Sequence, residues 1–184
     1  MRSSSQNLTL SALFIALGIL FPILFHGIGM GPILLPMFWP LAAAAFFLPV
    51  AHSAAIGALT PVLSSMLTGM PPISPPILHV LLFELLALTG MTALLYRRLG
   101  WAPFPALLGG LAASRLVLFV VVLFLAPLFG LPPAVFSFAF LFKGIPGTLL
   151  ILGLIPILVG RIKGEKLWHK SRRRADDQSA SPLL

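Results

Sequence analysis

The sequence predicts an all-α integral membrane protein, a six-helix bundle with a kinked second helix and both termini on the cytoplasmic side. Three observations carry that prediction. The 184-residue chain is 59% hydrophobic and only 9% charged, with a mean hydropathy of +1.07, which lies outside the range of an ordinary soluble domain. From Ser3 to Phe83 there is no Asp, Glu, Lys or Arg. Seven of the twelve basic residues fall between Arg161 and Arg174, after the last apolar run.

The elements follow in order. Met1–Asn7 is a short polar lead with one positive side chain. The first span, about Leu8 to Phe25, is long enough to cross a hydrocarbon core of about 30 Å. It does not end in a small-residue cleavage site and leads straight into further spans, so it reads as a retained helix and not as a signal peptide. Its Ala12, Ala16 and Gly18 form a small-residue strip suited to close helix contact, either within the chain or with a partner. The glycine-rich HGIGMGP at 26–32 is a tight link. A second span, about Ile33 to Leu48, is interrupted at Pro36 and Pro40. Interrupted helix inside a membrane must be shielded by protein or line a polar cavity, which makes Met37, Phe38 and Trp39 candidates for a cavity wall.

Pro49–Ser53 reads as a minimal turn, and a third span of about Ala54 to Leu67 is short for a perpendicular crossing. Ser64 and Ser65 near its end either satisfy frayed backbone groups or contact a ligand. Proline pairs at 71–72 and 75–76 break the chain again. The fourth span, about Pro76 to Tyr96, closes on Arg97-Arg98. The fifth runs about Ala102 to Leu128 and the sixth about Ala134 to Val159. The membrane domain thus occupies residues 1–160, with its core at 8–160. Residues 161–184 form a basic, polar cytoplasmic tail whose SRRRADDQSAS portion lacks the apolar content to order itself.

Six crossings bring Arg2, Arg97-Arg98 and the 161–174 cluster to one side, while the links at 26–32, 68–76 and 129–133 carry no Lys or Arg. That is a positive-inside pattern. A five-crossing arrangement would split the basic clusters across the membrane. The formal net charge of +8 is therefore explained by orientation and by attraction to anionic lipid, with no nucleic-acid partner. The expected location is the cytoplasmic membrane of a prokaryote, as a multi-pass protein.

Three ionisable groups sit at membrane depth, one per helix: Glu84 in the fourth span, Arg115 in the fifth and Lys143 in the sixth. A bare charge in hydrocarbon is costly and turns toward a protein interior. Convergence of the three would pair Glu84 with one cation and leave one positive group for a ligand acceptor. The alternative is that they lock helices together while Lys143 snorkels. His26 and His79 lie toward the outer face, as ligand contacts or as solvated interfacial side chains. Trp39 and Phe38 offer stacking surfaces, although Trp39 equally suits an interfacial anchor.

Enzyme chemistry has weak support in the sequence. There is no HExxH, GxSxG or GxxxxGK[ST], and GIGMG at 27–31 lacks the surrounding βαβ pattern of a dinucleotide site. Zero cysteines remove disulfides and thiolate chemistry. No metal-ligand spacing accompanies the histidines, so neither metal nor cofactor is expected. With no nucleotide motif of its own, the chain must borrow any ATP-driven motor.

HGIGMGPILLPMFWP at 26–40, LTPVLSSMLTGMPPISPP at 59–76 and FELLALTG at 83–90 give the chain a resemblance to the substrate-binding S components of energy-coupling factor transporters, over about residues 8–160. The resemblance implies a vitamin-like substrate bound near the extracytoplasmic face, a transmembrane coupling subunit, two ATPase subunits, and delivery by reorientation of the loaded subunit. It also implies that Ala12 and Ala16 form the AxxxA docking surface, and that the regions 26–40 and 60–76 line or close over the ligand. Similar family members often carry a histidine where this chain has Phe38, a change from polar contact to stacking. Set against this reading are an autonomous ion- or proton-coupled secondary transporter and a non-transporting assembly subunit.

Overall fold

Two oxygens and two amide hydrogens start the first helix. Ser3 Oγ accepts from the Gln6 N–H (3.3 Å) and Gln6 Oε1 accepts from the Ser3 N–H (3.2 Å), a reciprocal capping box. The expected polar lead is thus helical from its fourth residue. The structure, a computed structural model, describes residues 3–27, 29, 31–74, 76–125, 142 and 144–179. Within them the helices are α1 (Ser4–Gly27), α2 (Gly31–Leu34), α3 (Phe38–Phe47), α4 (Val50–Thr68), α5 (Ile77–Arg97), α6 (Pro103–Val120), which continues as a π-helical segment Val121–Leu125, and α7 (Ile145–Ser179). No strand occurs among the described residues.

Five of these helices are long and apolar enough to cross a membrane: α1, α4, α5, α6 and the Ile145–Ile162 part of α7. Their outward faces carry large apolar side chains, among them Leu13, Leu20, Leu59, Phe83, Leu108, Leu116, Leu154 and Ile157. Water would not tolerate so much exposed apolar surface on a monomer, whereas hydrocarbon accepts it. The chain is a multi-pass membrane protein built as an all-α bundle.

The expected second span is two pieces. α2 ends at Leu34, Leu35 takes a left-handed φ of 51°, and α3 begins at Phe38. Only one of the two prolines interrupts the helix. Pro36 lies in the break, but Pro40 sits in the first turn of α3, where a missing N–H costs nothing. α3 has ten residues, about 15 Å, too short to span alone. Its position explains why that is tolerated: Phe38, Pro40, Leu41, Ala42, Ala44, Ala45 and Phe46 are all buried, so the broken element lies inside protein and not against lipid.

α4 starts at Val50, four residues before the expected third span, because only Leu48 and Pro49 interrupt the helical backbone. At 19 residues, about 28 Å, it needs no tilt or re-entrant path to compensate. It stops at Gly69, whose φ of 73° lets its N–H return to Ser65 O at 2.9 Å. The fourth span agrees with α5 within a residue. The end of the fifth span and the start of the sixth, 126–141, lie outside the described residues. Helical backbone in α7 runs on through Ser179, into the SRRRADDQSAS portion of the tail that was expected to be disordered. The RIKGEKLWHKSRRRADDQS segment is rich in straight-chain side chains that lose little freedom in a helix.

Glycines set the packing. α5 is the most buried of the five long helices and is gripped on two sides. A Cβ at Gly57 of α4 would meet Leu85 O at 2.7 Å and overlap Thr89 Oγ1, and one at Gly110 of α6 would meet Leu88 O at 2.7 Å and overlap Thr92 Oγ1. Backbones therefore approach closely, as small residues allow in membranes. Gly18 of α1 seats against the Thr60 side chain of α4. At one end of the bundle Phe46 meets Tyr96 edge-on at 5.0 Å and Arg97 Nη2 donates to Phe46 O at 3.3 Å. At the other end Phe38 of α3 meets Arg115 of α6, and Gly147 of α7 abuts the Ile33 and Leu34 backbone. The second end holds the break between α2 and α3.

Candidate functional site at the helix break

The register of α5 against α6 creates the site. Gly110 lies opposite Leu88–Thr92, and the two helices run antiparallel. Five residues further along α6 is Arg115; four residues back from Leu88 on α5 is Glu84. The two charges are thereby brought face to face, with Glu84 about 10 Å inside the start of α5. Arg115 Nη2 stands 3.5 Å from Glu84 Oε1. The Glu84 side chain is 6% exposed and that of Arg115 26%.

That distance is well beyond the 2.7–2.9 Å typical of a charge-assisted hydrogen bond. The pair is open: Glu84 Oε1, Arg115 Nε and Arg115 Nη2 are all buried without a hydrogen-bond partner. Ser114 is fully buried. Its hydroxyl lies beside the Glu84 carboxyl, at a geometry that leaves Ser114 Oγ unpartnered as well. Buried polar atoms are hydrogen-bonded in the great majority of cases, so four atoms without a hydrogen-bond partner in one place mark a candidate site.

The helix break forms the wall opposite. Phe38, the first residue of α3, holds its ring 5.2 Å below the Arg115 guanidinium carbon, a cation–π contact that fixes the arginine plane. Gly144 faces the same arginine: a Cβ there would sit 3.4 Å from Arg115 Nη1 and 3.1 Å from Leu35 Cδ1. The Trp39 indole N–H donates to Leu34 O at 2.8 Å, satisfying a carbonyl at the end of α2 that has no following helical turn to accept from. Met37 is buried in the apolar core between these elements.

Of the residues expected at the site, the structure therefore brings Glu84, Arg115 and Phe38 together, with Met37 and Trp39 flanking Phe38. Ser64 is buried but engaged, donating its hydroxyl to Met70 O at 2.7 Å. Ser65 contributes its carbonyl to the cap at Gly69. Ser64 thus serves the turn between α4 and α5 through its hydroxyl and Ser65 through its backbone. His26 is exposed, with Nδ1 2.8 Å from Pro22 O, and His79 is exposed in the first turn of α5. Lys143 lies outside the described residues. Ala12 and Ala16 both face outward on α1, while Ser11, Gly18 and Pro22 make its buried face. Among the described residues no group of three His, Cys, Asp or Glu is placed to hold a metal ion.

Ser114, Gly144 and Leu35 were not singled out from the sequence. Ser114 was the most legible of them, as a hydroxyl adjacent to a charge in an apolar helix. Gly144 and Gly147 form a small pair three residues apart, a weak packing signal. Nothing in the letters marks Leu35 for a left-handed backbone. Comparison of the chain with protein-family models, with curated proteins and with solved structures found no match.

Proposed function

We propose that the chain is the membrane-embedded substrate-binding subunit of an ATP-driven importer of the energy-coupling factor type. It would capture a vitamin or related small micronutrient at the extracytoplasmic face and work with a transmembrane coupling subunit and two ATPases. The observation that carries the reading is the open Glu84–Arg115 pair. It is buried where a helix is broken inside a membrane bundle, and three of its polar atoms, with Ser114 Oγ beside them, have no hydrogen-bond partner. Discontinuous helices at membrane depth are where transporters build binding sites. The positive-inside distribution supports an orientation with both termini cytoplasmic, which turns the helix break outward.

Two further features fit. The sequence has no nucleotide-binding motif, so the chain is not expected to be an enzyme, and ATP hydrolysis falls to partners. The outward-facing Ala12 and Ala16 offer a close-approach surface on α1. The test is co-purification with a coupling subunit and ATPases, repeated with Ala12 and Ala16 changed to leucine. The pair of substitutions should abolish association while leaving small-molecule binding intact; unchanged association removes α1 as the docking face. A second reading rests on the same buried Glu84, an intramembrane carboxylate of the kind that relays protons. Uptake into vesicles containing only this chain would establish that secondary transporter and displace the importer.

A further inference from the structure

The unmet atoms at the helix break have a pattern, and the pattern selects a ligand. On one side stands an acceptor, Glu84 Oε1; on the other stand two donors, Arg115 Nε and Nη2; Ser114 Oγ, which can give or take, sits beside the carboxyl. The formal charges of Glu84 and Arg115 cancel. A carboxylate or phosphate entering this seam would satisfy Arg115 but press its oxygens against Glu84 Oε1. An ammonium or amidinium would satisfy Glu84 but press its protons against the guanidinium. In a buried site each mismatch leaves a charged group facing its like, which is the costly case.

A neutral edge with a carbonyl oxygen and an N–H side by side meets both requirements. Its N–H reaches Glu84 Oε1, its carbonyl takes Arg115, and Ser114 completes either side. We infer that the pair recognises a planar amide, lactam or ureido edge, and that the substrate enters uncharged at this end. The opening of the ion pair to 3.5 Å supports this. At that separation neither Oε1 nor Nη2 is saturated by the other, so both keep bonding capacity for a ligand. Phe38 supports it too, because the ring lies under the guanidinium and holds the arginine plane steady for two parallel bonds. This rests on the reading of Glu84 and Arg115 as the ligand anchor, and goes further in naming what they hold.

The experiment uses three matched probes on the full chain in mild detergent: benzamide, benzoate and benzamidinium. They share one ring and size and differ in edge, respectively donor plus acceptor, two acceptors and two donors. Relative dissociation constants come from ligand-observed NMR titration. Benzamide should bind about tenfold more tightly than either ion, the discrimination expected when one charged group is left mismatched. Glu84→Gln should then shift preference toward benzoate, because Arg115 becomes a surplus cation. Ser114→Ala, a milder change, should weaken benzamide while leaving the order of the three intact. Tighter binding of benzoate or benzamidinium to the unaltered chain overturns the amide assignment but keeps the anchor. Binding of none of the three overturns both.

Discussion

Removing one member of the Glu84–Arg115 pair should cost far more stability than removing both. At 3.5 Å and an effective dielectric constant of about 20, the attraction is about 5 kcal/mol before desolvation is charged against it. Desolvation of two ions offsets much of that, so the net worth of the pair is small, whereas a stranded partner costs about 3–5 kcal/mol. Both single variants should fall within that range. Glu84→Leu strands Arg115, which is 26% exposed and retains Phe38 below it, and belongs near the lower end. Arg115→Met strands a carboxyl group that is only 6% exposed but that can neutralise itself by taking up a proton, which keeps its cost within the same range. The double variant replaces both by apolar side chains and should fall within about 1 kcal/mol of the original. Reversible unfolding in mixed micelles, followed by circular dichroism, measures all four corners of the cycle. Losses that simply add, with the double variant the least stable of the four, would refute the claim that these residues interact across the α5–α6 seam.

Other expectations test the scaffold around that seam. Gly57→Ala and Gly110→Ala each place a methyl 2.7 Å from a carbonyl oxygen of α5 and should destabilise by about 1–3 kcal/mol. Gly153→Ala meets nothing within 4 Å and should be neutral or slightly stabilising; thermal unfolding in detergent reads all three. Trp39→Phe removes the bond to Leu34 O and should cost about 1 kcal/mol in the same assay. The Ala12/Ala16 leucine pair should leave the melting temperature unchanged, since both positions face outward.

The parts of the fold legible in the sequence were those that depend on composition over many residues. Apolar length and charge position gave the long spans and placed Glu84 and Arg115 at depth, because a solitary charge in an apolar helix has few places to go. Local details were less legible where two physical meanings share one letter. Pro36 and Pro40 look alike in sequence, but one interrupts the helix and the other starts it, which depends on where Leu35 turns. Ser64 reads in sequence as a cap ahead of a ligand contact, and its partner, the Met70 carbonyl, is visible only in the fold. The capping role of Ser3 and Gln6 was legible as a serine three residues before a glutamine, and a polar composition masked it. Pairing of Glu84 with Arg115 needed the α5–α6 register, visible in the close approach of Gly110 to Leu88 and Thr92.

The central claim is that the open pair at the helix break holds a small molecule. Mass spectrometry of the gently purified chain tests it most directly, run in parallel on the original sequence and on the Glu84→Leu/Arg115→Met double variant, whose fold the cycle expects to be intact. The account predicts a retained small molecule bearing an amide-type edge in the first sample and its loss in the second. Equal retention by both, or retention by neither, would contradict it.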